Sequence, residues 1–133
     1  MSNHTILITG ANRGLGLEFT KQYAADGWRV LACCREPQSA GALSALAAAH
    51  ANIQIYSLDV GDFATMTALA NQLKDCAIDV LINNAGVYPE SSFGESSEAD
   101  WFEAFKINTI APMKMAEAFS PHIAKSQDRK SVV

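Results

Sequence analysis

Three glycines stand close together in the stretch ITGANRGLGLE, residues 8–18, directly after a short apolar run. Gly10 would allow a tight turn off a strand, Gly14 would leave room for a pyrophosphate against bare backbone, and Gly16 would let a following helix lie close to the sheet. The first turn of such a helix offers unpaired N–H groups and roughly half a positive charge to phosphates. The spacing therefore predicts the phosphate-binding loop of a dinucleotide site, with a purely structural glycine-rich turn as the alternative.

Two arginines are candidates for holding the extra phosphate that distinguishes NADP from NAD. In dinucleotide-binding folds an acidic residue at the end of the second strand, about 20 residues past the glycines, accepts bonds from the ribose 2′-hydroxyl. Here Cys34 and Arg35 stand at that point, and Arg13 lies inside the glycine loop. Two guanidiniums suit a phosphate because Arg donates charge-assisted, often bidentate hydrogen bonds. We predict NADP; Glu36 keeps NAD open, because a slip of two residues would bring an acid to the ribose.

The composition is that of one globular domain. The 133 residues are 49% hydrophobic and 18% charged, which is typical of a folded chain with a single substantial core. A net charge of −4 argues against nucleic acid or an acidic membrane surface as a partner, because both require a basic protein surface. The N-terminal residues resemble neither a signal peptide nor a membrane span, so we expect no membrane partner.

The cysteines and histidines show no metal-ligand spacing, and we predict no metal site. No CxxC pair occurs and the histidines are scattered. We interpret the cysteines as reduced thiols of a cytoplasmic protein, most of them buried as small apolar side chains. The residues concerned are Cys33, Cys34, Cys76, His4, His50 and His122.

Segments of strand and helix character alternate along the chain. Strands are predicted at residues 4–8, 28–34, 52–58 and 78–84, and helices at about 15–25, at 39–50, after an N-cap at Asp62, and at 100–125. Pro112 predicts that the last helix is either two helices or one with a marked kink. Residues 131–133 begin a fifth β-branched run. The alternation predicts an α/β fold, a Rossmann-type doubly wound parallel sheet of order 3-2-1-4-5 that stops at about the fifth strand.

TGANRGLGLE at residues 9–18, together with NNAG at residues 83–86, resembles the short-chain dehydrogenase/reductase superfamily, whose members carry TGxxxGxG after the first strand and NNAG after the fourth. NRGLGLE followed by CCR resembles its C-factor-like or carbonyl-reductase-like branch. The resemblance covers nearly the whole chain. It implies an NADP-dependent oxidoreductase that transfers hydride between nicotinamide and a small carbonyl or alcohol, and a homo-oligomer formed partly through the helix that contains Asn108.

The resemblance also implies roles for residues beyond the glycine loop. Asp59 would bond the adenine amino group and Val60 would cover the ring, with a turn or helix-capping role for Asp59 as the alternative. Ala85 and Gly86 would be small because the cofactor passes close to their backbone, and Asn83 and Asn84 would steady the strand ends, with an ordinary Asn–Gly turn as the alternative. The complete set of expected cofactor-binding residues is Gly10, Asn12, Arg13, Gly14, Leu15, Gly16, Arg35, Asp59, Val60, Asn83, Ala85 and Gly86.

The chemistry of the superfamily requires a Ser that polarises the substrate oxygen, a Tyr that moves the proton, and a Lys four residues after that Tyr. A fourth residue, an Asn, holds a water in the proton relay, and Asn108 in FKINTIAP matches it. Tyr23, Tyr56 and Tyr88 all lack a Lys at the fourth place. We therefore expect Asn108 to be the one catalytic residue in this chain, which would bind NADPH weakly and show no turnover alone.

Two interpretations of the domain remain open. In the first, residues 1–133 form an incomplete NAD(P)-binding domain, the N-terminal portion of a reductase, because an apolar end at residues 131–133 leaves a sheet edge half-built. In the second, the chain is a non-catalytic nucleotide-binding module. A truncated signalling or regulatory homologue is a more distant possibility that no residue supports. The residue pattern leaves the substrate open under each interpretation.

Overall fold

In a computed structural model of the protein, residues 3–127 and the backbone of residues 130–132 are described. Strands and helices alternate along this part of the chain, as the sequence predicts. In chain order the elements are β1 (Thr5–Ile8), α1 (Gly14–Ala25), β2 (Arg29–Cys34), α2 (Gly41–Ala49), β3 (Ile53–Ser57), α3 (Phe63–Gln72), β4 (Val80–Ile82), α4 (Glu98–Phe105), a π-helical turn (Lys106–Ile110), α5 (Ala111–Ala124) and β5 (Lys130–Val132).

The five strands form one parallel sheet of order β3-β2-β1-β4-β5. β1 lies between β2 and β4, pairing Ile6 with both Val30 and Val80. The strand order therefore reverses between β1 and β4, and in open α/β sheets ligands bind at the carboxyl ends of the strands beside such a reversal. The prediction of a Rossmann-type doubly wound sheet is confirmed.

Each face of the sheet carries its own apolar core because successive strand residues point to opposite sides. In β1, Ile6 and Ile8 belong to a cluster on the side of α1 and α2, whereas Leu7 belongs to a cluster on the side of α3 and α5. Met115 and Phe119 of α5 are completely buried in the second cluster. Helices thus cover both faces of a sheet whose central strand is fully enclosed.

Several element ends follow the expected local signals. Asp62 caps α3, its Oδ1 accepting a hydrogen bond of 3.1 Å from the Ala64 amide, and Gly27 ends α1 with a φ of 83°. β4 is shorter than predicted: it spans Val80–Ile82, and beyond its end Asn84 bonds the Gly10 carbonyl instead of continuing the strand. No helix among the described residues is long and apolar enough to cross a membrane.

The helix predicted at 100–125 begins earlier and is not broken by its proline. Ser97 caps α4 by accepting a hydrogen bond from the Asp100 amide, so the helix starts at Glu98. Pro112 lies at the start of α5, and a π-helical turn precedes it where we predicted a break or a kink. The π-helical turn keeps the helix continuous although Pro112 has no N–H to donate.

Candidate dinucleotide-binding site

The glycine loop joins β1 to α1 and leaves bare backbone at Gly14. Gly14 has a φ of 55° and is the first residue of α1, and a Cβ placed there would meet nothing within 4 Å. Arg13 occupies the N-cap without a side-chain capping bond. The first turn of α1 therefore offers its N–H groups to open space, which suits an anion.

Gly10 and Gly16 are required for close approach. A Cβ at Gly16 would lie 2.1 Å from the Gly10 carbonyl oxygen and 2.6 Å from Asn84 Nδ2. A Cβ at Gly10, whose φ is 62°, would lie 3.0 Å from Ala85 Cα. These distances agree with the steric reasons that the sequence suggested, a tight turn at Gly10 and a close helix at Gly16.

A buried hydroxyl joins the glycine loop to the segment after β4. Thr9 is 1% exposed, and its Oγ1 accepts hydrogen bonds of 3.0 Å from the amides of both Asn84 and Ala85. Asn84 Nδ2 in turn donates to the Gly10 carbonyl at 3.1 Å. Thr9 was not among the expected site residues, and Asn84 was expected only to steady the strand end. Their signal in the sequence is a Thr directly before the first glycine and a second Asn in NNAG.

Asn83 provides a buried donor without a partner. Its Nδ2 has no hydrogen-bond partner within the described part of the chain. An unpaired buried amide costs free energy, so such a group normally meets a ligand or water. Next to it, Ala85 is half-buried beneath Gly10, while Gly86 is exposed.

Asn108 lies in the π-helical turn, and its side chain is already committed. Its Oδ1 accepts a hydrogen bond of 2.8 Å from the Val87 amide, and its Nδ2 donates to the Val87 carbonyl at 2.7 Å. A Cβ at Gly86 would lie 3.2 Å from the same Oδ1. The side chain therefore fixes the segment that follows NNAG.

The main-chain carbonyl of Asn108 lacks the donor that an α-helix would give it. In an α-helix it would accept from the amide four residues on, but that residue is Pro112, which has no N–H. The neighbouring amide, that of Ala111, bonds back to the Lys106 carbonyl across the π-helical turn. The water that the resemblance leads us to expect at Asn108 stays a prediction.

Asp59 builds a turn after β3. Its Oδ1 accepts a hydrogen bond of 2.9 Å from the Gly61 amide, and its carbonyl accepts one from Thr65 Oγ1. This is the turn-forming role that the sequence offered as the alternative, and the exposed carboxylate can also meet a ligand. Val60 is 8% exposed and packs in the core beside Leu58. Contacts of Asp59 and Val60 with adenine stay predictions.

Both candidate phosphate-binding arginines are exposed and, within the described residues, neither forms an ion pair. Arg35 directly follows β2, and its carbonyl accepts a hydrogen bond of 3.2 Å from Ser57 Oγ. Arg13 lines a groove beside the segment after β4, which lies on the other side of β1. The expected convergence of the two guanidiniums stays a prediction. Cys34 is buried, and this burial raises the pKa of its thiol.

The groove beside the glycine loop has a volume of about 540 Å³. Its walls are Arg13, the segment 86–89, Asp100 and Glu103. At the loop itself Asn12 is half-buried and Leu15 is 69% exposed. Of the expected cofactor-binding residues, the structure thus gathers the glycine loop and NNAG at one sheet edge, where β1 and β4 end.

Comparison with known proteins finds a matching family model, similar curated proteins and similar solved structures. A family model described as short chain dehydrogenase matches residues 4–133. The uncharacterized oxidoreductase DltE of Bacillus subtilis is 34% identical over 133 residues, which is 96% of this chain and 51% of DltE. NADPH-bound carbonyl reductase from chicken fatty liver is 36% identical with a TM-score of 0.86, over 94% of this chain and 53% of the reductase.

A dehydrogenase/reductase from Burkholderia multivorans, solved with bound NADP and described as a short-chain enzyme, matches with a TM-score of 0.83 at 31% identity. That match covers 91% of this chain and 54% of the Burkholderia protein. The chain spans about half the length of the curated relatives it matches. The family model, these relatives and the parallel sheet with its glycine loop lead to one conclusion: the chain belongs to the short-chain dehydrogenase family.

Proposed function

We propose that the protein is the nucleotide-binding part of an NADP-dependent oxidoreductase of the carbonyl-reductase type, which transfers hydride between nicotinamide and a small carbonyl or alcohol. The observation that carries the proposal is the open backbone at Gly14, which has a positive φ and free space before the uncapped start of α1. No side chain fills this space, and the unpaired Nδ2 of Asn83 lies at the neighbouring strand end. Both features fit a dinucleotide.

Each part of the site has a separate task in this proposal. The glycine loop and the start of α1 hold the pyrophosphate, Arg35 with Arg13 binds the 2′-phosphate, and Asp59 and Val60 receive the adenine. Bound NADPH supplies the hydride. Asn108 acts on the substrate side, where its side chain positions Val87 and its carbonyl holds a water. In this proposal the domain formed by residues 1–133 itself supplies the residues that bind the nucleotide.

Proton transfer needs groups that these 133 residues do not contain, since no Tyr is followed by a Lys at the fourth place. We propose that the chain alone binds NADPH and turns over no carbonyl. Tyr88, which lies in the groove wall next to Val87, is 96% exposed. Tyr88 can line a substrate pocket. The cytoplasmic location that the reduced cysteines favour stays a prediction.

Self-association is a further part of the proposal. α4 has no buried residue, and Trp101, Phe102 and Phe105 expose 61%, 71% and 58% of their surfaces. An apolar helix face of this kind is typical of a surface that a partner covers. We propose a homo-oligomer in which the helix from Glu98 to Ala124 meets a second copy.

Titration of the chain with NADPH and NADH, followed by nicotinamide fluorescence, tests the proposal. We expect NADPH to bind more tightly, and Arg35→Ala to weaken NADPH by about tenfold or more while leaving NADH nearly unchanged, because a charged hydrogen bond to phosphate is lost. Tighter binding of NADH would refute the NADP assignment.

Two glycine variants give the matched test of the binding loop. Gly14→Ala would place a methyl group in the open space before α1 and would also strain a backbone with a φ of 55°, whereas Gly41→Ala adds a methyl group to open space at the start of α2, where φ is not positive. We expect the first to abolish measurable NADPH binding and the second to preserve it. Equal NADPH affinity of the two variants would contradict the proposed site.

A further inference from the structure

Ile107 is the side chain through which the π-helical turn reaches the core of the protein. Of the five residues of this turn, Ile107 alone is buried, at 7% exposed. It packs in the core cluster that also contains Leu58 and Val60, which lie next to the loop after β3. The other four residues of the turn are half-buried or exposed, and Lys106 lies over the Phe63 ring, so the seating of Ile107 in the core contributes to the rotation of the turn about the helix axis.

The tip of Ile107 lies on the bare backbone of Gly61. A Cβ at Gly61 would be 2.8 Å from Ile107 Cδ1 and 3.2 Å from Asp59 Oδ1. Gly61 is not one of the glycines with a positive φ, so the backbone conformation does not require glycine there, and an added Cβ would instead displace the end of the Ile107 side chain. The Gly61 amide also donates to Asp59 Oδ1 at 2.9 Å, which fixes the loop beside this contact.

The residue after Ile107 is Asn108, whose side-chain amide bonds both the N–H and the carbonyl of Val87. Contacts therefore run without a gap from the loop of Asp59 and Gly61, through Ile107, to Val87. Under the proposed function the first end of this series receives adenine and the second faces nicotinamide. The contacts themselves do not depend on that assignment.

We propose that Ile107 is a positioning residue: its fit against Gly61 sets the rotation of the π-helical turn and so the geometry of the two Asn108–Val87 hydrogen bonds. Crowding at Gly61 then disturbs Val87, although Gly61 lies in the loop after β3 and Val87 in the segment after β4. A packed contact transmits such a displacement because protein interiors resist compression. The proposal adds to the proposed function a residue that does not itself touch the nucleotide.

Hydrogen exchange of the Val87 amide, measured by NMR on the chain without nucleotide, tests this coupling. Gly61→Ala crowds Ile107. The double variant Gly61→Ala with Ile107→Val removes the Cδ1 atom that the new methyl group would strike. Gly41→Ala is the matched control, and the amide of Leu7, fully buried in β1, reports global opening.

We expect Gly61→Ala to accelerate exchange at Val87 by about tenfold while Leu7 changes little, because overpacking strains the local contact. In the double variant the Val87 rate should return to within about threefold of the parent chain, since the crowding is relieved. Asn108→Ala, which removes the acceptor itself, should accelerate Val87 at least as much as Gly61→Ala does.

A second variant keeps the test decisive if Gly61→Ala does not fold. Ile107→Val alone opens space at the same contact, and we expect it to accelerate Val87 by about threefold relative to Leu7. The proposal is wrong if neither variant moves Val87, if Val87 and Leu7 accelerate equally, or if Ile107→Val fails to rescue Gly61→Ala. Because no nucleotide is present, these outcomes are independent of whether the chain binds NADPH.

Discussion

Substitution of Gly16 by Ala tests the contact between the glycine loop and α1 quantitatively. The new Cβ would lie 2.1 Å from the Gly10 carbonyl oxygen, about 1.3 Å inside the 3.4 Å at which ordinary contact begins. That oxygen cannot withdraw freely, because it accepts a hydrogen bond of 3.1 Å from Asn84 Nδ2. The start of α1 must therefore move away from the sheet by about 1 Å.

The expected cost follows from three contributions. Overpacking in a close contact costs about 1–3 kcal/mol, and loss of the Asn84–Gly10 hydrogen bond costs about 1 kcal/mol. Replacing a helical Gly by Ala returns about 0.5–1 kcal/mol. We therefore expect Gly16→Ala to lower the free energy of unfolding by about 2 kcal/mol.

Urea unfolding followed by tryptophan fluorescence measures this change. A loss of about 2 kcal/mol corresponds to a midpoint lowered by about 1 M for a small domain. Gly41→Ala is the control, expected to raise the free energy of unfolding by about 0.4–1 kcal/mol, because its Cβ meets nothing and the unfolded chain loses freedom. If Gly16→Ala proves as stable as Gly41→Ala, the close contact deduced for α1 is wrong.

Three further predictions concern stability, pH and assembly. Asp79→Ala should cost about 2–3 kcal/mol in urea unfolding, because its buried carboxylate accepts from the Thr5 amide and the Ser126 hydroxyl, whereas Ser126→Ala should cost about 1 kcal/mol. Burial raises the pKa of Cys33 above its ordinary 9.0, so its contribution to stability is complete below pH 9.0 and lost as pH rises further. The free energy of unfolding should then fall more steeply above that pH in the parent chain than in Cys33→Ala, and equal slopes would contradict the burial argument. Phe105→Glu should weaken self-association by about tenfold or more in sedimentation experiments, and an unchanged sedimentation profile would exclude α4 from the interface.

The sequence predicted those features whose causes are local. Gly10 and Gly14 mark backbone with a positive φ, and the alternation of strands and helices dictates a parallel sheet whatever the distant contacts. The cap at Asp62 is equally local, since its acceptor and donor lie two residues apart. Such signals depend on neighbours in the chain and can therefore be recognised without coordinates.

The features that were not predicted join distant parts of the chain. The Thr9 hydroxyl bonds amides about 75 residues away, and no spacing rule connects a Thr before a glycine loop with those donors. Leu15 shares the helical spacing of Phe19, yet it is 69% exposed because small residues, Gly16 among them, form the buried face of α1. The π-helical turn at Lys106–Ile110 was likewise not predicted, since Pro112 indicated only a break or a kink.

The amide of Asn108 presents to Val87 the donor and acceptor pair that an adjacent β-strand would present. One side chain of the π-helical turn thereby gives Val87 two strand-like hydrogen bonds in a segment that lies beyond the end of β4 at Ile82. An aspartate at position 108 could accept from Val87 but not donate to it, so isosteric replacement would leave half of this miniature ladder intact. A ligand in the groove would therefore contact a wall, residues 86–89, that is held by hydrogen bonds from Asn108.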